Sequence, residues 1–519
     1  MKKFIFNNLT INTKSLNYHN KYHYQKLNNY SLNHNFGKFL GIRNSQYYFH
    51  SKMVDKIENT VEQKGTTDKQ PTEKKNFVVW DNVLKNAEVG KVVTRFPPEP
   101  SGYLHIGHIK AVILNRYLAD LYKGKMIVRF DDTNPEKESL EFVDNIIEDL
   151  KSAGIVWDGE VTHVTDYFQV CEQMMTTLIE KGLCYCDNTP VEKTREERDK
   201  GIASKCRDQS PEENMKIWLQ MIDKSIAADS PIKQYCVRGK IDMKCKNKCM
   251  RDPVFYRFVD KPHHRLGDLY KLYPMYDFSI PIVDHLGGVT HMLRSNEYAD
   301  RIPMYEWVEN VCGLPKMNIF EYSRLNLVHT VLSKRKLKWL VENGKVEGWD
   351  DPRLPTLRGI LRSGVRIEAI KEFILEIGPS TNANLMKWDK LYAKNKDIID
   401  PTAKRLFGVT ADTPVIVELD NFDEKDSSVT VDWHPKNKEL GTRQQLRSSK
   451  LYIEPEDATG LELDTKLTLY KWGNTRVTKI EKNDKGEITK INLKLTPEDQ
   501  DFKKTKIAHW VSAKEGDVS

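Results

Sequence analysis

The stretch RFPPEPSGYLHIGH, Arg95–His108, decides the fold of this chain. It joins a short β-type run at 92–96 to a segment whose apolar residues recur with the period of an α-helix. A buried strand is predicted at 126–130, followed by a second amphipathic helix that ends at Gly154. The two apolar faces consist of Ile106, Ile109, Val112, Ile113, Tyr117 and Leu121 in the first helix and Leu140, Val143, Ile146, Ile147 and Leu150 in the second. This alternation predicts an α/β domain with a Rossmann-like, doubly wound parallel sheet.

Two histidines stand where the first helix is predicted to begin, His105 and His108, with Gly107 between them. The first N–H groups of a helix are unpaired and its dipole is positive there, so this position binds anions. Imidazole donors could hold the α- and β-phosphates of a nucleotide, and Gly107 would let the adenine approach the backbone. The alternative is that the histidines only cap the helix. The tetrapeptide HIGH at 105–108 does not by itself favour either interpretation.

A second element lies far along the chain, in VLSKRKL at 331–337. Lys334, expected on a mobile loop, could reach the phosphates and neutralise a leaving diphosphate; the alternative is a solvated basic turn. The sequence has no GxGxxG and no GxxxxGK[ST], so neither a dinucleotide fingerprint nor a P-loop explains a nucleotide site. The histidine pair and this lysine occur together in one sequence far more rarely than either occurs alone. Their combination predicts an ATP site.

Composition indicates a globular protein of several domains. The chain has 519 residues, 39% of them hydrophobic and 10% aromatic, a length for which about three to four domains are expected. No apolar stretch is long enough to span a bilayer, so no membrane association is expected. Eight cysteines without regular spacing favour reduced thiols over a disulfide framework.

The net charge of +7 is concentrated at the N-terminus. Residues 1–54 contain eight Lys or Arg and no Asp or Glu, so the remainder has 73 basic and 74 acidic groups, a net charge of −1. RNA binding would therefore depend on local basic patches. The acid-free segment has the character of an organelle transit peptide, although it is poor in Arg, or of an Asn-rich extension without structure. A cytoplasmic location is expected, with mitochondrial or plastid import as the alternative.

Several motifs carry a family resemblance that covers about residues 92–400. They are RFPPEPSGYLHIGH, RFDDTNPEKE, MRDPVFYR, YPMYDFSIPIVD, EYSRLNL, VLSKRKL and GWDDPRLPTLRG. This part of the chain resembles the glutamyl- and glutaminyl-tRNA synthetases of the archaeal and eukaryotic type, which are class I aminoacyl-tRNA synthetases. In that group the second signature reads VLSKR in place of KMSKS, as it does here.

The resemblance implies the residues of the ATP site. His105, His108 and Lys334 would be the catalytic groups. The residues that would line ATP are Glu99, Pro100, Ser101, His105, Gly107, His108, Ser295, Arg324, Leu325, Leu332, Ser333 and Lys334.

For the amino acid, the resemblance implies that Asp131 binds the α-ammonium group and that Tyr276 contacts the side chain. Each has a structural alternative. Asp131 would cap the next helix, a role that Asp132 or Thr133 could take instead, and Tyr276 would be an aromatic core residue.

The choice between glutamate and glutamine depends on Arg294. A carboxylate is best bound by a guanidinium fork, whereas an amide facing a buried arginine would leave that charge unpaired, at a cost of about 3–5 kcal/mol. By resemblance, glutaminyl members have a small neutral residue, often Cys, where Arg294 stands, and glutamyl members have Arg. Arg95 would supply a second positive group. A surface salt bridge is the alternative for Arg294; we predict glutamate, with a glutaminyl-tRNA synthetase as the alternative function.

The resemblance implies a two-step ligation. The α-carboxylate of L-glutamate attacks ATP, accompanied by Mg²⁺, to give glutamyl-adenylate and diphosphate, and a terminal ribose hydroxyl of tRNA(Glu) then takes the acyl group and releases AMP. Activation would require bound tRNA. No metal ligand from the protein is expected. Beyond tRNA(Glu), glutamate and ATP, the expected partners are other synthetases or tRNA-channelling factors.

The chain divides into six predicted segments. They are a targeting-like extension and linker at 1–75, the first half of the catalytic domain at 76–165, an inserted acceptor-binding domain at 166–275, the second catalytic half at 276–335, a helical domain at 336–403 and a β-barrel anticodon-binding region at 404–519. Trp433, Tyr470 and Trp472 would stack on bases or belong to the barrel core. Relatives of this type continue past the position of His509–Val511, so an incomplete barrel with an open edge is expected.

Zinc is not expected. Cys184, Cys186, Cys206, Cys245 and Cys249 fall in the insertion, but their spacing lacks the usual CxxC pairs and a fourth ligand.

Overall fold

The computed structural model describes Trp80 and residues 83–227, 229–423, 428–503 and 505–513. The predicted extension and linker at 1–75 lie outside the described residues. Among the helices that are described, none combines the length and apolar character needed to cross a bilayer.

The first catalytic half alternates strands with helices. Its elements are β1 (Val93–Phe96), α1 (Ile106–Leu121), β2 (Lys125–Phe130), α2 (Leu140–Ser152) and β3 (Thr162–His163). The strands are parallel in the order β1-β2-β3. This confirms the predicted α/β alternation, with the first two strands starting within one residue of the prediction.

The two helices bury most of their apolar faces, with two exceptions at helix ends. Val112 and Ile146 are fully buried, whereas Leu121 and Leu140 are 40% and 52% exposed. The prediction for these two leucines is wrong because they are the last residue of α1 and the first residue of α2. The turn after α1 requires glycine, since a Cβ on Gly124 would lie 2.1 Å from the Val92 carbonyl oxygen.

An antiparallel sheet follows in the segment predicted as an insertion. The elements are α3 (Phe168–Glu180), β4 (Cys184–Asp187), α4 (Val191–Lys200), α5 (Pro211–Met221), β5 (Cys236–Gly239), β6 (Val254–Phe258) and β7 (Leu272–Pro274). The strands run in the order β4-β5-β6-β7, and all neighbours are antiparallel. Antiparallel pairing with long connections replaces the parallel strand arrangement of the first half, and two helices lie in the connection between β4 and β5.

Parallel strands then return. The elements are α6 (Tyr276–Leu286), β8 (His291–Ser295), α7 (Ile302–Cys312), β9 (Asn318–Tyr322) and β10 (Asn326–Leu327). β8 and β9 are parallel, and Thr290 joins them to β1 by donating its amide to the Val93 carbonyl (3.0 Å) and accepting the Val93 amide on its hydroxyl (2.8 Å). The strands therefore lie in the order β3-β2-β1-β8-β9. The order reverses between β1 and β8, where open α/β sheets bind ligands outside the carboxyl ends of the strands.

A mostly helical region packs against the first half. Its elements are α8 (Lys334–Glu342), α9 (Leu357–Arg362), α10 (Ile367–Ile377), β11 (Leu385–Met386) and α11 (Asp389–Ile399). β11 pairs with β10 in parallel. Phe373 and Leu391 are buried in the same apolar core as α1 and β2, which anchors this region directly behind the cleft.

The C-terminal region is a nearly closed barrel. Its elements are β12 (Val415–Leu419), β13 (Ser428–Asp432), β14 (Thr442–Leu446), β15 (Lys450–Ile453), α12 (Pro455–Ala458), β16 (Lys466–Leu469), β17 (Gly473–Lys482), β18 (Ile488–Leu495), β19 (Lys506–Ala508) and β20 (Trp510–Ser512). The sheet order is β19-β16-β17-β18-β12-β15-β20, while β13 and β14 form a separate ribbon. Only His509 separates the two outermost strands, so one segment, 506–512, pairs with both β16 and β15. The open edge expected from the sequence is bridged by this segment.

Candidate active site

The candidate site lies at the carboxyl ends of β1 and β8. The Pro-rich loop after Phe96 leads into α1, and Ser295 ends β8. Backbone bonds tie this loop to the segment after β2, because Asp131 donates its amide to the Pro98 carbonyl (3.1 Å) and Ser139 donates to that of Pro100 (3.2 Å). Two groups of side chains converge here, one with neutral donors and a lysine, the other with buried charges.

The histidine pair caps α1, and no hydrogen bond among the described residues involves Nε2 of either ring. Nδ1 of His105 accepts the Gly107 amide (3.1 Å), and Nδ1 of His108 accepts the His105 amide (3.1 Å). A neutral imidazole whose Nδ1 accepts has its proton on Nε2. Capping and anion binding are compatible in this geometry, because the capping bonds use Nδ1 and leave Nε2–H as a donor.

Both imidazoles are held neutral. Burial, reinforced by Lys334 and Arg324, lowers the pKa of His105 to about 3. Burial, His105 and Lys334 likewise hold the pKa of His108 well below its usual value. The rings lie 3.7 Å apart between centroids with their planes tilted by 33°, and a Cβ on Gly107 would lie 2.9 Å from His105 Cε1. Glycine at 107 therefore keeps His105 in its capping position.

Lys334 belongs to the same group. Its Nζ donates to the Glu99 carbonyl (2.9 Å) and to the Ser101 hydroxyl (3.3 Å). Burial lowers the pKa of Lys334 to about 8, opposed by Glu99 and Glu138. The expectation of a loop is wrong at this residue, because Lys334 is the first residue of α8. The lysine is positioned by a helix whose core residue, Leu337, is buried.

The other residues expected to line ATP lie on several elements of the structure. Pro100 is buried, and Ser101 donates its hydroxyl to the Glu99 carboxylate (3.0 Å). Leu325 and Leu332 belong to the apolar core behind the cleft. Ser333 precedes α8 as its N-cap residue, and Ser295 occupies the same position before a 3₁₀ turn. Arg324 is half-exposed and pairs with Glu297 at 3.0 Å.

Asp131 is 8% exposed and lies beside a buried arginine. Arg129 donates Nη2 to its carboxylate (3.3 Å). Burial raises the pKa of Asp131 to about 7, with Arg129 opposing and Asp284 adding to the shift. The helix-capping alternative is wrong for Asp131, Asp132 and Thr133 alike, because the N-cap residue of α2 is Ser139, whose hydroxyl accepts the Phe142 amide (3.3 Å).

Arg294 is buried but has no carboxylate partner among the residues that the structure describes. It is 7% exposed, its Nε makes no hydrogen bond in the described chain, and its guanidinium lies over the Tyr298 ring at 5.1 Å. The surface salt-bridge alternative is therefore wrong. Burial and Asp131 raise the pKa of Tyr276 to about 12 against the charges of Arg294 and Arg95, so the Tyr276 hydroxyl lies within electrostatic range of these three groups.

Arg95 is close to this pocket, but its charge is compensated. It is 2% exposed, and its Nε donates to both oxygens of Asp284 (3.1 and 3.2 Å). Its Nη1 donates to the Leu293 carbonyl (2.9 Å). The pocket thus contains two kinds of guanidinium, one neutralised by Asp284 and one, Arg294, without a counterion among the described residues.

Sequence reasoning missed two buried carboxyls. Asp284 is fully buried between Arg95 and Arg129, and the signal for it was an acidic residue inside the apolar run of α6. Glu138 accepts the Asn134 amide on Oε1 (2.9 Å), while Oε2 is buried without a partner in the described chain. Burial raises the pKa of Glu138 to about 9. No pattern in the sequence distinguished Glu138 from a surface residue.

One cluster beside the site has the composition of a metal centre, but one of its two histidines is already engaged. Asp132, His263 and His264 bring potential ligand atoms within 4.8 Å of one another. His263, however, accepts the Arg265 amide on Nδ1 (3.1 Å) and contacts the Asp132 carbonyl through Nε2 (2.9 Å), so both nitrogens are occupied. All eight cysteines are free thiols.

Comparison with protein families gives two adjacent matches. Residues 91–401 match the model described as "tRNA synthetases class I (E and Q), catalytic domain". Residues 403–496 match "tRNA synthetases class I (E and Q), anti-codon binding domain". The second match falls on the nearly closed barrel.

Curated proteins resemble the chain over most of its length. The cytoplasmic glutamate–tRNA ligase of Arabidopsis thaliana is 48% identical over 409 residues, which are 79% of this chain and 56% of that protein. The cytoplasmic glutamate–tRNA ligase of Saccharomyces cerevisiae is 45% identical over 84% of this chain and 60% of that protein. A bifunctional glutamate/proline–tRNA ligase of Mus musculus is 45% identical over 83% of this chain and 28% of that protein. The chain therefore spans little more than half the length of the first two relatives.

Proposed function

The chain belongs to the class I tRNA synthetase family of the E and Q type, and on that premise we propose that it ligates L-glutamate to tRNA(Glu) at the expense of ATP. Glutamyl-adenylate is the intermediate, and AMP and diphosphate are released. The observation that carries the choice of glutamate is the buried Arg294, which faces Tyr276 without a counterion among the described residues.

The histidines and the lysine act on the triphosphate of MgATP. The free Nε2–H groups of His105 and His108 donate to phosphate oxygens, where negative charge grows as the α-phosphorus is attacked. Lys334 exchanges its bonds to the Glu99 carbonyl and Ser101 for the departing diphosphate. Mg²⁺ enters as part of the nucleotide substrate and offsets its charge. No covalent bond to the protein is required, so catalysis consists of positioning and electrostatics.

The amino acid is held at both ends. The Asp131 carboxylate binds the α-ammonium group, which leaves the α-carboxylate to attack phosphorus. The Arg294 guanidinium binds the γ-carboxylate, with Tyr276 and Tyr298 beside it. A glutamine amide would leave Arg294 buried and unpaired, at a cost of about 3–5 kcal/mol, enough for more than a hundredfold discrimination.

The remaining regions are proposed to bind tRNA. The antiparallel insertion would hold the acceptor end and the barrel the anticodon. Trp433 is flanked by Lys404 Nζ at 4.6 Å and Arg443 at 5.6 Å from its ring, a cationic aromatic platform suited to bases and phosphates. Trp472 also has a cation beside its ring, Arg447 at 4.8 Å, but it packs against the buried Trp510 at 4.7 Å, which favours a barrel-core role for it.

Compartment and assembly partners are also proposals. The relatives from Arabidopsis thaliana and Saccharomyces cerevisiae are named cytoplasmic ligases, and this supports a cytoplasmic location. The bifunctional relative supports association with other synthetase activities.

Aminoacylation of purified tRNA pools with each amino acid tests the proposal. The wild-type protein is expected to charge glutamate and not glutamine. Arg294→Cys is expected to raise the KM for glutamate more than a hundredfold with little change in the KM for ATP. Arg366→Cys, at an exposed arginine outside the cleft, is the matched control and retains wild-type kinetics. Efficient glutamate charging by Arg294→Cys would remove the basis for this specificity.

A further inference from the structure

Asp284 is the junction of a buried charge network behind the amino-acid pocket. Its Oδ1 accepts Arg95 Nε (3.1 Å) and Arg129 Nη1 (2.6 Å), and its Oδ2 accepts the Tyr305 hydroxyl (3.1 Å). Burial alone would raise the pKa of Asp284, but the two arginines hold it below the usual value. Asp284 is therefore an anion that cannot reach solvent.

The network determines which pocket charges are left for a substrate. Three buried guanidinium groups, Arg95, Arg129 and Arg294, face two carboxylates, Asp131 and Asp284. With both carboxylates ionised, the five groups sum to +1. Because Arg95 is tied to Asp284 and Arg129 is shared between Asp284 and Asp131, the uncompensated charge is that of Arg294. Glutamate with an ionised γ-carboxylate has a net charge of −1 and matches this sum.

We propose that Asp284 is a specificity-determining positioning residue: it neutralises Arg95 and divides Arg129 between two carboxylates, so that Asp131 is poised to receive the α-ammonium and Arg294 supplies the uncompensated charge for the γ-carboxylate. Asp284 acts through these residues and not on the substrate itself. The inference rests on the proposed glutamate ligation.

Two arginines act on the ionisation of Asp131 besides Asp284, and two further groups lie within electrostatic range of it. Arg129 on β2 and Arg95 on β1 favour the carboxylate, whereas Glu138 and Tyr276 lie close enough to interact with it without supplying positive charge. Without the negative charge of Asp284, Arg129 pairs with Asp131 only. The pKa of Asp131 then falls, so its carboxylate forms at lower pH. Removing Arg95 has the opposite effect. Removing both restores the original charge sum.

The test is the dependence of kcat/KM for glutamate on pH, measured between pH 5.5 and 8.5 with the full chain, tRNA and saturating MgATP. Asp284→Asn is expected to move the acid limb to lower pH by about 1 unit, and Arg95→Gln is expected to move it to higher pH. The double variant is expected to return close to the wild-type limb. The KM for ATP, which depends on the other half of the cleft, should stay within twofold throughout and reports intact folding.

The outcomes separate the two claims. If the wild-type protein charges glutamate but Asp284→Asn lowers activity uniformly across pH, the residue is merely structural and the inference is wrong. The inference is also wrong if the acid limb of the double variant stays at the lower pH seen for Asp284→Asn. Should Asp284→Asn fail to fold, Arg95→Gln and the double variant still provide the test, because adding the second substitution must reverse the shift. Absence of glutamate charging by the wild-type protein would instead refute the proposed function.

Discussion

The two halves of the cleft present their polar groups by different means. The half that we propose binds the triphosphate, the phosphate half, has neutral donors, the Nε2–H groups of His105 and His108, together with one lysine. The half that we propose binds glutamate, the amino-acid half, has permanent charges, with Arg95 and Arg129 fixed around Asp284. Neutral donors need no counterion, so a short local motif can supply them. Buried charges must be compensated by partners from other elements, because an unpaired one costs several kcal/mol.

Replacing Lys334 by alanine tests whether the phosphate half depends on its single charge. The ammonium is expected to stabilise the leaving diphosphate, so Lys334→Ala should lower kcat for aminoacylation about 10²–10³-fold, as loss of an oxyanion donor does. The KM for glutamate should change little. Lys338→Ala, on the same helix and paired with the exposed Glu342, is the matched control. Equal losses from both variants would remove the special role of Lys334.

The halves should also differ in their response to pH. Since the raised pKa of Asp131 is about 7, its carboxylate is lost below that pH, and the fraction able to bind an ammonium falls about tenfold between pH 8 and pH 6. The KM for glutamate should rise accordingly. The histidines stay neutral, with a pKa of about 3 for His105, and Lys334 only gains protons below its pKa of about 8. The KM for ATP should therefore fall at most about twofold.

Initial rates with one substrate varied and the others saturating separate these constants. The KM for ATP could instead rise tenfold on acidification while the KM for glutamate stays constant. That result would contradict the assignment of the neutral donors to ATP and of the buried charges to glutamate.

The same contrast decides what the sequence can reveal. His105, Gly107 and His108 are neighbours, so their motif predicts the cap and the donors together. Asp284 is 189 residues from Arg95, and nothing in the apolar run of α6 identifies Arg95 as the partner of Asp284. The two residues come together only when the sheet forms. Arg294 was identified through family resemblance, and its lack of a counterion became visible only in three dimensions.

Fold prediction followed the same rule. The β-α alternation is written in local periodicity, which is why β1 and β2 were found within one residue. The closure of the barrel by the segment 506–512 depends on pairing with β15 and β16, about 40 to 60 residues away, and no local signal specifies it. Lys334 was misassigned to a loop because a functional motif was weighed above the helix-forming residues that follow it.

Gly107→Ala tests how closely the neutral half is fitted. The new Cβ would lie 2.9 Å from His105 Cε1 and must displace the ring, because the helix backbone cannot yield easily. The Nε2–H donor then misses its phosphate, and kcat/KM for ATP should fall by about three- to tenfold, a part of the full loss of a donor. Gly408→Ala, where a Cβ meets nothing within 4 Å, is the control and should be silent. Wild-type kinetics in Gly107→Ala would mean that His105 does not have to keep this position.

The smallest effect is expected at Ser139, where the two halves are joined. Its amide bonds the Pro100 carbonyl of the phosphate loop, and its hydroxyl caps α2 by accepting the Phe142 amide. Ser139→Ala should cost about 1 kcal/mol of local stability, so the Phe142 amide should exchange with solvent about fivefold faster in native-state hydrogen exchange. Thr133→Ala is the matched control, because Thr133 was the rival cap residue and does not cap α2. If the Phe142 amide exchanged faster in Thr133→Ala but at the wild-type rate in Ser139→Ala, the cap of α2 would lie in the segment directly after β2. Ser139 would then not join the two halves of the cleft.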